Sequence, residues 1–189
     1  MIPSDREIED LHRRYAPTPE AFDLVFTHCR IVRDLALQLL PADADVDAEL
    51  VNAGALLHDV GVYRLQGAAY IRHGILGDAL LRSLGLPDRL CRMCSHHTGV
   101  GLTGADVVAQ ELPLPVADYL AETPEEELVM YADKFHSKKS PPVFVSADTY
   151  TATVARFGEE KATRFKFLRS RYGDPDLAGL ATVYGHATI

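Results

Sequence analysis

The sequence has no tryptophan and only three cysteines among its 189 residues. Cys29, Cys91 and Cys94 cannot all pair with one another, so we predict no disulfide framework and expect the reducing cytoplasm as the compartment. Cys91 and Cys94 have the CxxC spacing, but no second CxxC accompanies them. This pattern favours buried thiols over a zinc or redox site.

Long apolar runs are also missing from the sequence. The N-terminal residues lack the stretch of about 7–15 apolar residues that a signal peptide needs. No segment approaches the ~20 apolar residues of a membrane span. We therefore predict a soluble protein that is not exported and has no membrane partner.

Positive charge is scarce, since 19 Lys and Arg face 27 Asp and Glu, which gives a formal net charge of −8. Such a surface repels polyanions, so we expect no broad nucleic-acid interface. One small phosphate compound is still compatible with this charge, because a few cations or metal ions reverse the field inside a pocket. The composition is otherwise that of a globular protein, with 47% hydrophobic and 24% charged residues.

Sustained period-two alternation is absent, whereas helix-capping signals are frequent, so we predict an all-α fold. Thr18 before Pro19 and Thr123 before Pro124 are pairs of a capping residue and a first-turn proline. Three predicted helices run from Pro19 to Leu40, from near Asp47 to about Gly61, and from about Arg72 to Leu84. Further helices are predicted to begin at Pro87, Thr103, Thr123, Ser146 and Glu159.

The length is that of one domain, so we expect a single domain over residues 1–189. Its core is expected at about residues 20–140 and its C-terminal helices at about residues 146–185. The turn around Ser140, which precedes two prolines, is the expected boundary between the two parts.

Three predicted helices direct metal-ligand side chains toward the core. His28 shares a helical face with apolar residues such as Leu24, His58 ends an apolar face with Asp59 at its edge, and Asp133 follows an apolar turn. A single inward histidine is usually a hydrogen-bonded core residue, but buried carboxylates are costly without a cation or strong donors. One divalent cation satisfies all four groups, and imidazole plus carboxylate ligands suit iron, manganese, cobalt or nickel.

This pattern resembles the HD-domain superfamily of metal-dependent phosphohydrolases over roughly residues 20–140. The resemblance is carried by Leu-Leu-His58-Asp59-Val-Gly, by His28 about thirty residues earlier, and by Asp133 in Tyr-Ala-Asp-Lys. It implies an all-helical bundle in which His28, His58, Asp59 and Asp133 are the protein ligands of a first metal ion.

Two further histidines are candidates for a second metal ion, which superfamily members with two additional histidines bind. His73 lies on an apolar helical face, and helical periodicity places His97 on another, whereas His96 points toward arginines. The stretch beginning at His96-His97 is similar to H-x-G-x-G-L-T in small HD proteins, which selects His97. It is also similar to H-T-T-G in diadenosine tetraphosphate hydrolases of the superfamily, which selects His96, so both registers stay open.

The resemblance implies that Asp59 bridges two ions and that hydroxide from a metal-activated water attacks phosphorus. His73 or His96 is then the candidate proton donor to the leaving oxygen. Many members carry a base three positions after the HD aspartate, where this chain has Val62. The candidate phosphate-binding residues are instead Arg64, Arg72 and Lys134.

The expected function is hydrolysis of a small phosphate ester or anhydride, with a nucleotide as the expected substrate. Two alternatives remain. Some HD-domain proteins use the same six ligands in a di-iron centre that oxidatively cleaves bonds, and a non-catalytic nucleotide-binding protein is the third reading. No motif for base or sugar recognition separates these.

Overall fold

The computed structural model describes residues 1–40 and 46–189, which are mostly helical, so the predicted all-α class is confirmed. The helices are α1 (Asp5–Tyr15), α2 (Pro19–Gln38), α3 (Ala48–Leu57), α4 (His73–Ser83), α5 (Asp88–Ser95), α6 (Gly104–Ala109), α7 (Pro124–Ala132), α8 (Ala147–Val154), α9 (Glu159–Tyr172) and α10 (Leu177–Tyr184). Short 3₁₀ turns cover Val60–Arg64, Tyr70–Arg72, Asp133–Phe135 and Ala155–Phe157.

A small sheet lies after the 3₁₀ turn that follows α7. Its strands are β1 (His136–Ser137), β2 (Val143–Phe144) and β3 (Ala187–Thr188), in the order β1-β2-β3. β1 and β2 are antiparallel, and β2 and β3 are parallel. The sheet therefore brings the C-terminal residues beside the end of α7. Strands of two residues leave no periodic signal, and none was predicted.

The predicted capping residues begin their helices. Thr18 accepts a hydrogen bond from the backbone of Ala21, and Thr123 accepts one from Glu126. Thr103 forms a reciprocal capping box at the start of α6. Each side-chain oxygen satisfies a backbone N–H that has no partner inside its helix.

Three predicted features of the helices are wrong. Leu24 is 46% exposed, because the buried face of α2 centres on Val25 and Cys29, about 100° around the helix. α2 ends at Gln38 and not at Leu40, and the proline expected to stop it lies outside the described residues. α3 ends at Leu57, before the predicted Gly61.

Gly61 explains the tight geometry after α3. A Cβ on Gly61 would lie 2.0 Å from the backbone oxygen of His73 and 2.3 Å from the backbone nitrogen of Gly77. The 3₁₀ turn Val60–Arg64 therefore packs directly on the backbone of α4.

α1 and α10 were not among the predicted helices, although Ser4 and Glu7 form a capping box at the start of α1.

Side chains from both sides of the turn at Ser140 pack together. Tyr131 of α7 lies 5.5 Å from Phe165 of α9 and 5.9 Å from Tyr172, measured between ring centroids. The division into a core and a C-terminal part at that turn stays a prediction. No helix in the described part of the chain has both the length and the apolar character needed to cross a bilayer.

Candidate metal centre

Six predicted metal ligands lie together inside the helical bundle. They come from the middle of α2, the residues after α3, the start of α4, the turn after α5 and the end of α7. Five of them are buried and Asp133 is partly exposed. The six are His28, His58, Asp59, His73, His97 and Asp133.

The first half of the cluster surrounds His28. Its Nε2 atom lies 3.0 Å from Asp133 Oδ1, 3.3 Å from Asp59 Oδ2 and 3.3 Å from His58 Nε2. His58 Nε2 lies 3.5 Å from Asp133 Oδ1. Two ligands at 2.0–2.2 Å from one ion are separated by about 3 Å or more, so these spacings are compatible with a shared ion.

The second half faces the other oxygen of Asp59. His73 Nε2 lies 3.3 Å from Asp59 Oδ1, and His97 Nε2 lies 3.7 Å from the same atom. The two Nε2 atoms are 3.0 Å apart. Asp59 Oδ1 is buried and accepts no hydrogen bond from the described residues. Asp59 thus presents one oxygen to each half of the cluster.

Backbone carbonyls determine the tautomers of His73 and His97. His73 Nδ1 donates to Tyr70 O at 2.7 Å, and His97 Nδ1 donates to Met93 O at 3.1 Å. Burial lowers the pKa of both rings, so each is neutral and its Nε2 carries a lone pair. Two lone pairs facing each other at 3.0 Å repel, and a cation between them removes that repulsion. The donor set therefore fits a metal ion.

The carboxylates of the cluster are strongly anionic. Burial opposes the charge on Asp59, but Lys138 and the nearby histidines hold its pKa well below the ordinary value. The same happens at Asp133, where burial is outweighed by Lys134 and the neighbouring histidines together. Burial also opposes charge on His58, yet Asp59 and the other polar groups around the ring together raise its pKa well above the ordinary value. The centre attracts positive charge, so protons compete with a metal ion for it.

The predicted phosphate-binding residues lie in different surroundings. Lys134 is buried and donates to Asp133 Oδ2 at 2.6 Å and to His97 O at 3.0 Å. Arg64 is exposed, and Arg72 donates to the backbone oxygen of Pro113. Within residues 1–40 and 46–189, neither arginine forms a hydrogen bond or an ion pair with the six clustered side chains. Their roles in substrate binding stay predictions.

His96 lies outside the cluster. It is half-buried, and its Nδ1 atom lies 2.7 Å from Ser95 Oγ and 3.2 Å from Arg92 O. Its neighbour His97 is the residue beside His73, in the position that helical periodicity favours. α5 ends at Ser95, and a bond from the side chain of His97 to Met93 O holds its ring against the last turn of that helix. The catalytic role of His96 stays a prediction.

Three residues near the cluster were not predicted. Lys138 Nζ contacts Asp59 Oδ2 and lies 5.4 Å from the ring centroid of Tyr70. His136 contacts His28, and His186 contacts His136. Burial lowers the pKa of His136 to about 2, so its ring is neutral at pH 7. The spacing of these residues after Asp133 carries no recognised ligand pattern.

Comparison with known proteins identifies relatives and a shared fold. The family model "HD domain" matches residues 25–138. An uncharacterized protein of Methanocaldococcus jannaschii is 41% identical over 113 residues, covering 58% of this chain and 64% of that protein. A tRNA (cytidine(56)-2'-O)-methyltransferase of Thermoplasma volcanium is 35% identical over 175 residues, covering 92% of this chain and 49% of that protein. The chain thus spans less than two thirds of either relative.

Solved structures of the HD domain of the L. monocytogenes phosphodiesterase PgpH have the same fold. The first of these structures superposes with a TM-score of 0.57 at 17% identity, and the match covers 95% of this chain and all of the PgpH HD domain chain. Another, in complex with cyclic-di-AMP, has a TM-score of 0.56 at 15% identity, covering 94% and 97% of the two chains. At this identity the likeness shows the fold.

Proposed function

Because the chain belongs to the HD-domain family, we propose that it is a metal-dependent phosphohydrolase acting on a small phosphate ester or anhydride, with nucleotides as its substrate class. The observation that carries the proposal is the buried carboxylate of Asp59, with two pairs of histidines facing its two oxygens. Family membership supports phosphate-bond hydrolysis in general, and the nucleotide is the finer part of the proposal.

The cluster divides into two ligand sets that share one residue. The first ion would be held by His28, His58, Asp59 and Asp133, and the second by His73, His97 and Asp59. Iron, manganese, cobalt and nickel suit these nitrogen and oxygen ligands. When bound, such ions lower the pKa of water and neutralise the charge that develops on phosphoryl oxygens.

Lys138 is the residue best placed to bind the phosphate. Its ammonium group contacts Asp59 at the partly exposed side of the cluster, whereas Lys134 is buried and bonded to Asp133. Lys138 therefore supplies the cation that many family members place three residues after the HD aspartate, the position of Val62. His73 has both ring nitrogens engaged when it is a ligand, so it does not also donate a proton.

Lys138→Met tests this role, with Lys139→Met as the matched control because Lys139 is the exposed next residue. A hydrogen bond to a charged group contributes ~1.5–3 kcal/mol, so we expect Lys138→Met to lower kcat/KM for phosphate release by about 10- to 100-fold. Equal activity of the two variants would show that Lys138 does not bind the phosphate.

The names of the similar proteins bear on the substrate in two ways. PgpH is described in complex with cyclic-di-AMP, a small nucleotide, which supports a nucleotide here. The methyltransferase name belongs to a protein of which this chain spans 49%, so we do not transfer that activity. The net charge of −8 also disfavours a broad tRNA surface.

The decisive experiment combines metal analysis with product analysis. Protein purified without added metal or chelator is analysed for its elements and then screened for phosphate release from nucleotides. We expect bound transition metal and phosphate release from wild type, and loss of both in Asp59→Asn. Bound iron with oxygen consumption and no phosphate release would replace the hydrolase by the di-iron oxygenase, and nucleotide binding without turnover would indicate a non-catalytic protein.

A further inference from the structure

A chain of three histidines connects the candidate metal centre with the C-terminal residues. His28 Nδ1 lies 2.8 Å from His136 Nδ1, and His136 Nε2 lies 3.0 Å from His186 Nδ1. The ring centroids are 5.1 Å apart in both pairs. His28 and His136 are buried, and His186 is half-buried. This row of histidines therefore runs from a proposed metal ligand to the half-buried His186 near the C-terminus.

The small sheet holds the outer two histidines in place. His136 begins β1 and pairs with Phe144 of β2, whose ring also packs edge-on against the imidazole. His186 immediately precedes β3, and Ile189 after it donates to Phe144 O at 2.9 Å. The family match ends at residue 138, so His186 comes from a part of the chain beyond it.

Matching hydrogen-bond donors with acceptors assigns the proton on each ring. A bond between two neutral imidazoles needs one N–H and one lone pair, and a nitrogen that binds a metal carries no proton. When His28 Nε2 is a ligand, its Nδ1 carries the proton and donates to His136 Nδ1. His136 then carries its proton on Nε2 and donates to His186 Nδ1. Each ring has one self-consistent tautomer in that state.

We propose that His136 and His186 are positioning residues of the metal centre, which hold His28 in the tautomer whose Nε2 lone pair faces Asp59 and Asp133. His136 acts directly by accepting the proton of His28, and His186 acts through His136. The inference rests on the metal site of the proposed function, but it is measured by metal affinity without turnover.

Two variants of similar polarity separate the positioning role from a structural one. In His136→Asn the side-chain oxygen takes roughly the place of Nδ1 and still accepts from His28. In His136→Gln the amide takes roughly the place of Nε2, and the acceptor for His28 is lost. His136→Leu removes both bonds, and Val183→Ala, at an exposed position of α10, is the control.

The apparent affinity for Mn²⁺ is measured by competition with a chelator, and thermal unfolding in excess chelator monitors the fold. Loss of the hydrogen-bond partner of a metal-binding histidine typically costs 10–100-fold in affinity. We expect that loss in His136→Leu and His136→Gln, a smaller loss in His186→Ala, and near wild-type affinity in His136→Asn and Val183→Ala.

A second measurement reads the tautomers directly. In ¹⁵N spectra of protein loaded with diamagnetic Zn²⁺, His136 should carry its proton on Nε2, and His186 Nδ1 should be an acceptor. A proton on His136 Nδ1 in that state would overturn the proposal.

The affinity results separate this proposal from the proposed function. If wild type binds metal and releases phosphate while His136→Leu binds equally well, the positioning role alone is refuted. Equal losses in His136→Asn and His136→Gln would indicate a structural role and also refute it. A wild type that binds no metal would refute both this inference and the proposed function.

Discussion

Acid should destabilise this protein through His12, a fully buried residue of α1. Its Nε2 atom donates to Leu56 O at 2.8 Å, so its Nδ1 atom accepts from the hydroxyl of Tyr63 at 3.0 Å. These partners lie on either side of His58 and Asp59 in the chain. The neutral ring of His12 therefore connects α1 with both ends of the turn that carries the HD pair.

The magnitude follows from the pKa of the buried ring. Burial lowers the pKa of His12 from 6.5 to about 4. Between these two values the unfolded chain binds a proton that the folded chain does not, so stability falls as the pH falls. At about 1.36 kcal/mol for each pKa unit, the loss is about 3 kcal/mol by pH 4, and it levels off below that pH. Above pH 7 the contribution no longer changes.

The assay compares the pH dependence of urea unfolding in His12→Gln with that of wild type, both in excess chelator. Other histidines titrate in both proteins, so their effects cancel in the difference. The variant should lose less stability than wild type between pH 7 and pH 4, by about 3 kcal/mol. Tyr63→Phe is the control, because it removes one hydrogen bond, costing ~0.5–1.5 kcal/mol, but keeps the buried ring.

A difference curve that stays flat from pH 7 to pH 4 would refute this reasoning, because His12 would then titrate alike in the folded and unfolded chains. A curve with the opposite slope would mean that the folded protein holds a charged ring. The bond to Leu56 O alone would permit that, but the acceptor role toward Tyr63 would not.

Two further substitutions test the packing and the metal stoichiometry. Gly61→Ala should destabilise the protein by about 1–3 kcal/mol in urea unfolding, because its Cβ would lie 2.0 Å from a backbone oxygen of α4, whereas Gly179→Ala, in open space, should be neutral or slightly stabilising. His97→Ala should lower the metal-to-protein ratio from about two toward one, and His96→Ala should leave it unchanged, as measured by elemental analysis. The reverse result would assign the ligand to His96.

The starts of the helices were predictable because their signals are local. Thr18, Thr103 and Thr123 each cap a helix through a bond to a backbone N–H three residues later. Such bonds depend on a few consecutive residues and on no tertiary contact. The end of α3 was not predictable in this way. α3 ends at Leu57, and the turn after it places Gly61 against the backbone of α4, a contact between segments distant in sequence.

The clustering of the six candidate ligands was predictable as far as helical periodicity reaches. His28 lies within α2, so its inward orientation follows from the apolar residues around it. His97 lies two residues beyond the end of α5, but its ring still bonds to Met93 O, four residues earlier. That side-chain bond holds the ring of His97 against the last turn of α5, so the observed position agrees with the one that periodicity favours.

Lys138, His136 and His186 lie beyond the reach of that argument, for a physical reason. Lys138 stands in a polar stretch, Ser-Lys-Lys-Ser, whose composition is typical of an exposed turn. Pairing of β1 with β2 directs that stretch back toward Asp59, and pairing of β2 with β3 brings His186 next to His136 from 50 residues away. Strands of two residues carry no period, so such contacts become visible only in three dimensions. The residues that surround this candidate metal centre are therefore harder to predict from sequence than the candidate ligands themselves.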